Sequence, residues 1–154
     1  MSHSQIGREM NECAIKELAN LLGPTGVITG ADTAPFETPV AGEGERCLAV
    51  LRPASTQEVS QAVKICAKYG IAVIPQGGNT NVCRMTVPLP NQNAVILSLS
   101  RMNRIIHLDE ECSTILVEAG ATLQQVQEAA RAAGRLFAPD WGARGTAQVG
   151  GAVA

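Results

Sequence analysis

Apolar positions along the chain change period several times, and each change marks an element. Met10, Ala14, Leu18, Leu21 and Leu22 recur every three to four residues, the spacing that lines one face of a helix. Gly23-Pro24 stops it, the glycine capping and the proline unable to continue. From about Thr25 to Glu45 the chain is rich in Gly, Pro, Thr and Glu, which predicts an irregular connection. Cys47 to Leu51 is a continuous apolar run, a buried strand ended by Pro53. Ser55 and Glu58 then stand at capping-box spacing. They open a helix whose apolar face is Val59, Ala62, Val63 and Cys66, closed by Gly70. Ile71 to Ile74 is the next strand. Strand, helix, strand in this order predicts parallel strands joined by a right-handed crossover.

Ala94 to Leu99 reads as a third buried strand. Arg104 to Leu108 and Thr114 to Glu118 alternate around Asp109-Glu110-Glu111, which predicts a hairpin with a solvated acidic turn. Thr122 and Gln125 form a second capping box, followed by the apolar face Leu123, Val126, Ala130 and Ala133 and a stop at Gly134. The sum is an α+β fold with small mixed sheets flanked by helices. Residues 1–45 form an N-terminal helix and connection, and residues 46–154 form the main domain. There is no internal repeat and no low-complexity tract.

With 154 residues, 45% apolar and 17% charged, the chain is long and apolar enough to bury a core. A net charge of −2, no basic stripe and only four aromatic residues argue against nucleic acid. Cys13, Cys47, Cys66, Cys83 and Cys112 are scattered, odd in number and without a C-x-x-C pair, which fits a reducing, cytoplasmic setting. His3 and His107 have no metal-spaced partners. The first residues lack the basic start and apolar run of a signal peptide. No stretch has the length of a membrane span.

The candidate chemistry lies in two glycine clusters. Pro75-Gln76-Gly77-Gly78-Asn79-Thr80-Asn81 follows the strand at Ile71. Glycines allow close backbone approach and positive φ. Successive N–H groups in such a turn make an anion nest, which suits a phosphate-bearing cofactor; an ordinary tight turn is the plainer reading. The second cluster runs from Pro139 to Gly151. Two such loops can cradle one long ligand, and a flexible tail is the alternative. No Gly-Lys-Ser/Thr follows the first glycines, which excludes a P-loop. No G-x-G-x-x-G opens a helix after a strand, which disfavours a Rossmann fold.

Three ordered segments carry a resemblance: Arg52-Pro53-Ala54-Ser55-Thr56-Gln57-Glu58-Val59, Pro75 to Thr80, and Gly142-Ala143-Arg144-Gly145-Thr146-Ala147-Gln148-Val149-Gly150-Gly151. From about Ile15 to Ala154 the chain resembles the start of the FAD-binding domain of the vanillyl-alcohol oxidase/p-cresol methylhydroxylase (PCMH) flavoprotein superfamily. Within it, the likeness is strongest to the FAD-linked D-2-hydroxyacid dehydrogenases, which include D-lactate dehydrogenase, the glycolate oxidase flavin subunit and D-2-hydroxyglutarate dehydrogenase. The resemblance implies FAD as cofactor. It implies that Pro75, Gln76, Gly77, Gly78, Asn79, Thr80 and Asn81 wrap the pyrophosphate, largely through backbone N–H groups. It implies that Pro139, Asp140, Gly142, Ala143, Thr146, Ala147, Gly150 and Gly151 lie along the flavin and ribityl side.

The chain departs from the family pattern at Asn81, where glycine is usual, and at Arg84-Met85, where a Gly-Gly pair is usual. The family also runs on past Ala154, so the rest of the FAD domain and the substrate domain are expected to lie outside this chain. Two readings follow. The chain is the FAD-binding portion of an oxidoreductase that moves hydride from the α-carbon of a D-2-hydroxy acid to flavin N5, working with a chain that carries the remaining half. Alternatively, it is a non-catalytic remnant acting through protein contacts. No catalytic residue and no metal ligand is nominated.

Overall fold

The computed structural model describes residues 3–38, 44–80, 83 and 85–154. Asn81 and Arg84 lie outside the described residues. Helix α1 spans His3–Leu22 and ends at Gly23, whose φ of 72° is the left-handed cap that the sequence predicts. Strand β1, Val27–Ile28, follows, then a 3₁₀ turn at Gly30–Thr33 and the short helix α2, Ala34–Glu37. These three elements occupy the stretch predicted to be irregular. Two-residue strands and one-turn helices leave no periodic signal to read.

The main sheet adds β2 (Val50–Leu51), β3 (Ala72–Gln76) and β4 (Ala94–Ser98), in the order β1-β2-β4-β3. β2 and β3 are both parallel to β4, and β1 is antiparallel to β2. The two strands of the predicted strand–helix–strand unit are therefore not neighbours, because β4 lies between them. β2 is shorter than the predicted Cys47 to Leu51, although pairing continues beyond it: Leu48 N–H donates to the Ala94 carbonyl at 2.8 Å. β3 runs past the predicted end at Ile74 through Pro75 and Gln76. It is an edge strand, where a missing N–H is tolerated.

Helix α3, Thr56–Lys68, starts where predicted. Ser55 Oγ accepts from Glu58 N–H at 3.1 Å, while the Glu58 carboxylate accepts from Ala54 N–H at 2.8 Å, one residue before the cap. Ala62 and Cys66 are fully buried, but Val63 is 41% exposed. The apolar face is thus narrower than predicted, since Val63 stands about 100° around the helix from Ala62. Ala14, Leu18 and Leu22 of α1 join Leu51, Ala62, Cys66, Ile71, Val95 and Leu97 in one core. The N-terminal helix therefore packs on the same sheet as the residues that follow Cys47.

A second sheet is the hairpin β5 (Ile105–Asp109) and β6 (Thr114–Val117), with α4 (Leu123–Ala132) packed against it. The Arg104 guanidinium and N–H both bind the Glu118 carboxylate, the guanidinium NH2 at 2.6 Å, and Glu118 N–H returns a bond to the Arg104 carbonyl. This clamp closes the open end of the hairpin. Thr122 and Gln125 form the reciprocal capping box at the start of α4. Leu123, Val126 and Ala130 are buried beneath it. The chain ends in α5, Val149–Val153, within the stretch that the sequence suggested was a small-residue loop.

Candidate cofactor site

Parallel strands β3 and β4 end side by side, with Gln76 in register with Ser98. Ligands of open parallel sheets bind in the crevice beyond such carboxyl ends. An open cleft of about 370 Å³ lies there, at the small end of the range for ligand pockets, about 300–1,000 Å³. Its volume suits a segment of a long ligand. Gln76, Gly77, Gly78 and Asn79 form one wall and Thr146 and Gln148 another. Ser98, Ser100, Asn103, Gly120 and Thr122 form the floor and far side, and Pro35 and Phe36 close the remaining edge.

Long-range side-chain bonds fix the first wall. Gln76 is 3% exposed, and its Nε2 donates to the carbonyls of Phe36 and Thr86, both at 2.8 Å. Asn79 Nδ2 donates to the Thr38 carbonyl at 2.7 Å, and its Oδ1 accepts from Thr86 Oγ1. Asn79 has a φ of 52°. It takes the left-handed conformation that the sequence assigned to the glycines, a region where Asn is well tolerated. Gly77 and Gly78 are absent from the positive-φ positions. At Gly78 the lack of a side chain is needed for space. A Cβ on Gly78 would overlap the Thr146 carbonyl, whereas one on Gly77 would make ordinary contact with the Gln148 side chain.

The second wall is built from its own hydrogen bonds. Thr146 and Ala147 N–H groups donate to the Ala143 carbonyl, Gly150 N–H to the Ala119 carbonyl, and Val149 N–H to the Ala121 carbonyl. The first wall differs. Among the described residues, none accepts a hydrogen bond from the N–H of Gly77, Gly78 or Asn79. Three consecutive donors at a cleft wall, without an acceptor among the described residues, can form an anion nest. No Lys or Arg side chain lines the cleft among the described residues, so backbone dipoles would carry anion binding.

The remaining sequence-predicted positions are distributed around this centre. Pro75 is exposed at the end of β3, and Thr80 is half-buried just past Asn79. Ala147 is buried and Gly150 packs on Ala119, both supporting the second wall. Ala143 supplies its carbonyl to the same turn, while Gly142 and Gly151 are exposed. Pro139 and Asp140 are not among the described residues lining the cleft: the Pro139 carbonyl accepts from Gln127, and Asp140 pairs with Arg144 at 3.1 Å. Bonds from Gln127 and then Arg144 hold the Asp140 carboxyl below its ordinary range. Met85 is 78% exposed and lines a separate, apolar cavity with Ile74, Val87 and Leu89. That cavity is larger, about 530 Å³, and its described lining is mostly apolar.

Sequence reasoning missed Ser98, Ser100, Asn103, Thr122 and Gln148. The signal was available for two of them. Ser98 and Ser100 interrupt an apolar run at the carboxyl end of a buried strand, where polar side chains have a crevice to face. Phe36 was not legible, because its place depends on Gln76, 40 positions away.

A cradle open at two glycines, with unpaired N–H donors and neutral hydroxyl and amide groups around it, fits a phosphate-linked, hydroxyl-bearing cofactor. Residues 47–154 match the family described as FAD binding domain, and the chain belongs to that family, in its PCMH-type branch. It is 38% identical over 104 residues to a candidate mitochondrial D-lactate dehydrogenase of Schizosaccharomyces pombe, covering 68% of this chain and 19% of that protein. It is 36% identical over 104 residues to the mitochondrial D-2-hydroxyglutarate dehydrogenase of Arabidopsis thaliana, covering 68% and 18%. The crystal structure of p-cresol methylhydroxylase with substrate bound superposes with a TM-score of 0.69 at 25% identity, covering 80% of this chain and 25% of that one. The chain thus spans about a fifth of the length of the curated relatives it matches. Its cofactor is FAD. No helix among the described residues is long and apolar enough to cross a membrane.

Proposed function

We propose that this chain is the cofactor-binding part of an FAD-dependent oxidoreductase acting on D-2-hydroxy acids, with residues 46–154 as the cofactor domain and residues 1–45 bracing it. The carrying observation is the row of N–H groups at Gly77, Gly78 and Asn79, which have no acceptor among the described residues, on a cleft also lined by Thr146 and Gln148 and, among the described residues, by no Lys or Arg. In this reading the segment from Pro75 to Asn81 holds the diphosphate. The segment from Pro139 to Gly151 shapes the flavin and ribityl side, with Thr146 reaching the ligand and Ala147 and Gly150 holding the loop in place. Bound FAD supplies the acceptor for the two electrons released when a 2-hydroxy acid becomes a 2-oxo acid. The names of the relatives support the substrate class. The remaining length of those relatives, whether on this chain or on a partner, carries the substrate site in this reading, in a reducing, cytoplasmic compartment.

Catalysis needs a base within reach of the substrate hydroxyl and a cation for its carboxylate. Neither lines the cleft among the described residues, and His107 stands on β5. The test is a titration of the purified chain with FAD, followed by flavin fluorescence, then assays on D-lactate, glycolate and D-2-hydroxyglutarate with a dye acceptor. The expected result is saturable binding without turnover. Absence of binding contradicts the cofactor role. Steady turnover contradicts the restriction to cofactor binding.

A further inference from the structure

Gln148 presents an acceptor that the fold leaves unused. Its Oε1 is buried and has no hydrogen-bond partner, a costly state for an amide. The side chain lies against Gly77, in the space that a Cβ there would touch, and Gln148 lines the cleft. The backbone beneath it is fixed on both sides: Leu123 N–H donates to the Ala147 carbonyl and Val149 N–H to the Ala121 carbonyl, both at 2.9 Å. Only the side-chain torsions remain free. The cleft around Gln148 is lined by Ser98, Ser100, Asn103, Thr122 and Thr146, neutral groups suited to a polyhydroxylated ligand. A diphosphate at pH 7 offers no donor to a carbonyl, so the group that satisfies Gln148 is a donor beside it, and the neutral lining favours a hydroxyl.

We propose that Gln148 is a specificity residue for the hydroxyl-bearing part of the bound dinucleotide, its side-chain carbonyl accepting from a ligand hydroxyl beside the diphosphate. This rests on the FAD reading above. A structural glutamine loses stability when replaced by an apolar residue of similar size, whereas an acceptor kept for a ligand costs stability until the ligand arrives. Gln148→Leu therefore raises the melting temperature without FAD by about 2–4 °C and weakens FAD binding about fivefold. Gln148→Glu keeps the shape, sets a carboxylate beside the diphosphate and weakens binding about tenfold at low salt, with part of the loss recovered as salt rises. The measurements are thermal melts without FAD and fluorescence titrations with FAD on all three chains. Gln148→Leu melting below the parent, or either variant binding FAD as tightly as the parent, overturns the role of Gln148. A parent chain that binds no FAD overturns the cofactor reading itself and this role with it.

Discussion

Adding one methyl group at Gly77 or Gly78 separates two reasons for a paired glycine. Neither residue has positive φ, so alanine meets no backbone penalty at either. At Gly78 the new Cβ overlaps the Thr146 carbonyl and presses on the Ala147 nitrogen, both backbone atoms of the second wall. Backbone cannot rotate away as a side-chain tip does, so Gly78→Ala must push the two loops apart. Overpacking of this kind costs about 1–3 kcal/mol, or roughly 2–12 °C of melting temperature at this chain length. At Gly77 the Cβ sits in ordinary contact with Gln148. Gly77→Ala is therefore expected to melt within about 2 °C of the parent, helped by the lower entropy of its unfolded chain. Its methyl nonetheless narrows the nest, so FAD binding weakens about tenfold. The assays are thermal denaturation without ligand and FAD titration by fluorescence. Gly78→Ala melting with the parent would falsify the inter-loop packing. Gly77→Ala binding FAD unchanged would remove the nest. Gly78→Val is also expected to bind FAD poorly, but through loop separation, so it does not isolate contact with the diphosphate.

Gln76→Leu leaves the Phe36 and Thr86 carbonyls without their donor. It is expected to cost about 1–3 kcal/mol in denaturant unfolding and to expose residues 34–38 to limited proteolysis; unchanged stability refutes the strut. The Glu118 carboxyl is held below its ordinary 4.5 by hydrogen bonds from Arg104. Its contribution is present above the unfolded value and lost as pH falls through the lower folded value. Glu118→Gln should therefore flatten the acid limb of the stability–pH curve below about 4.5, and an unchanged limb contradicts the clamp. Burial and then Glu37 push the Cys47 thiol up to about 12, and burial raises Cys66. A thiol reagent at pH 8 should find Cys13, Cys83 and Cys112 fast and the other two slow until unfolding; five equally fast thiols contradict this burial.

Elements set by local chemistry were legible from sequence. Gly23, Gly70 and Gly134 end helices with φ of 72°, 65° and 67°, and both capping serine and threonine residues mark true helix starts. What sequence reading missed is non-local. The apolar run at Ile71 gave no sign that β4 would enter between it and β2, since strand order depends on how whole faces pack. The left-handed residue of the first loop is Asn79 rather than a glycine because the carbonyl of Thr38 and the hydroxyl of Thr86 hold its side chain. Gly78 is adjacent to Thr146 only after folding, so its need for space was invisible beside its need for a ligand.

The central claim is that the N–H groups of Gly77, Gly78 and Asn79 receive the phosphates of FAD. Amide hydrogen exchange of the chain with and without saturating FAD tests it most directly. The expected result is slowed exchange at these three amides, together with slower exchange near Thr146 and Gln148. Bound FAD that leaves the exchange of Gly77, Gly78 and Asn79 unchanged would contradict the account.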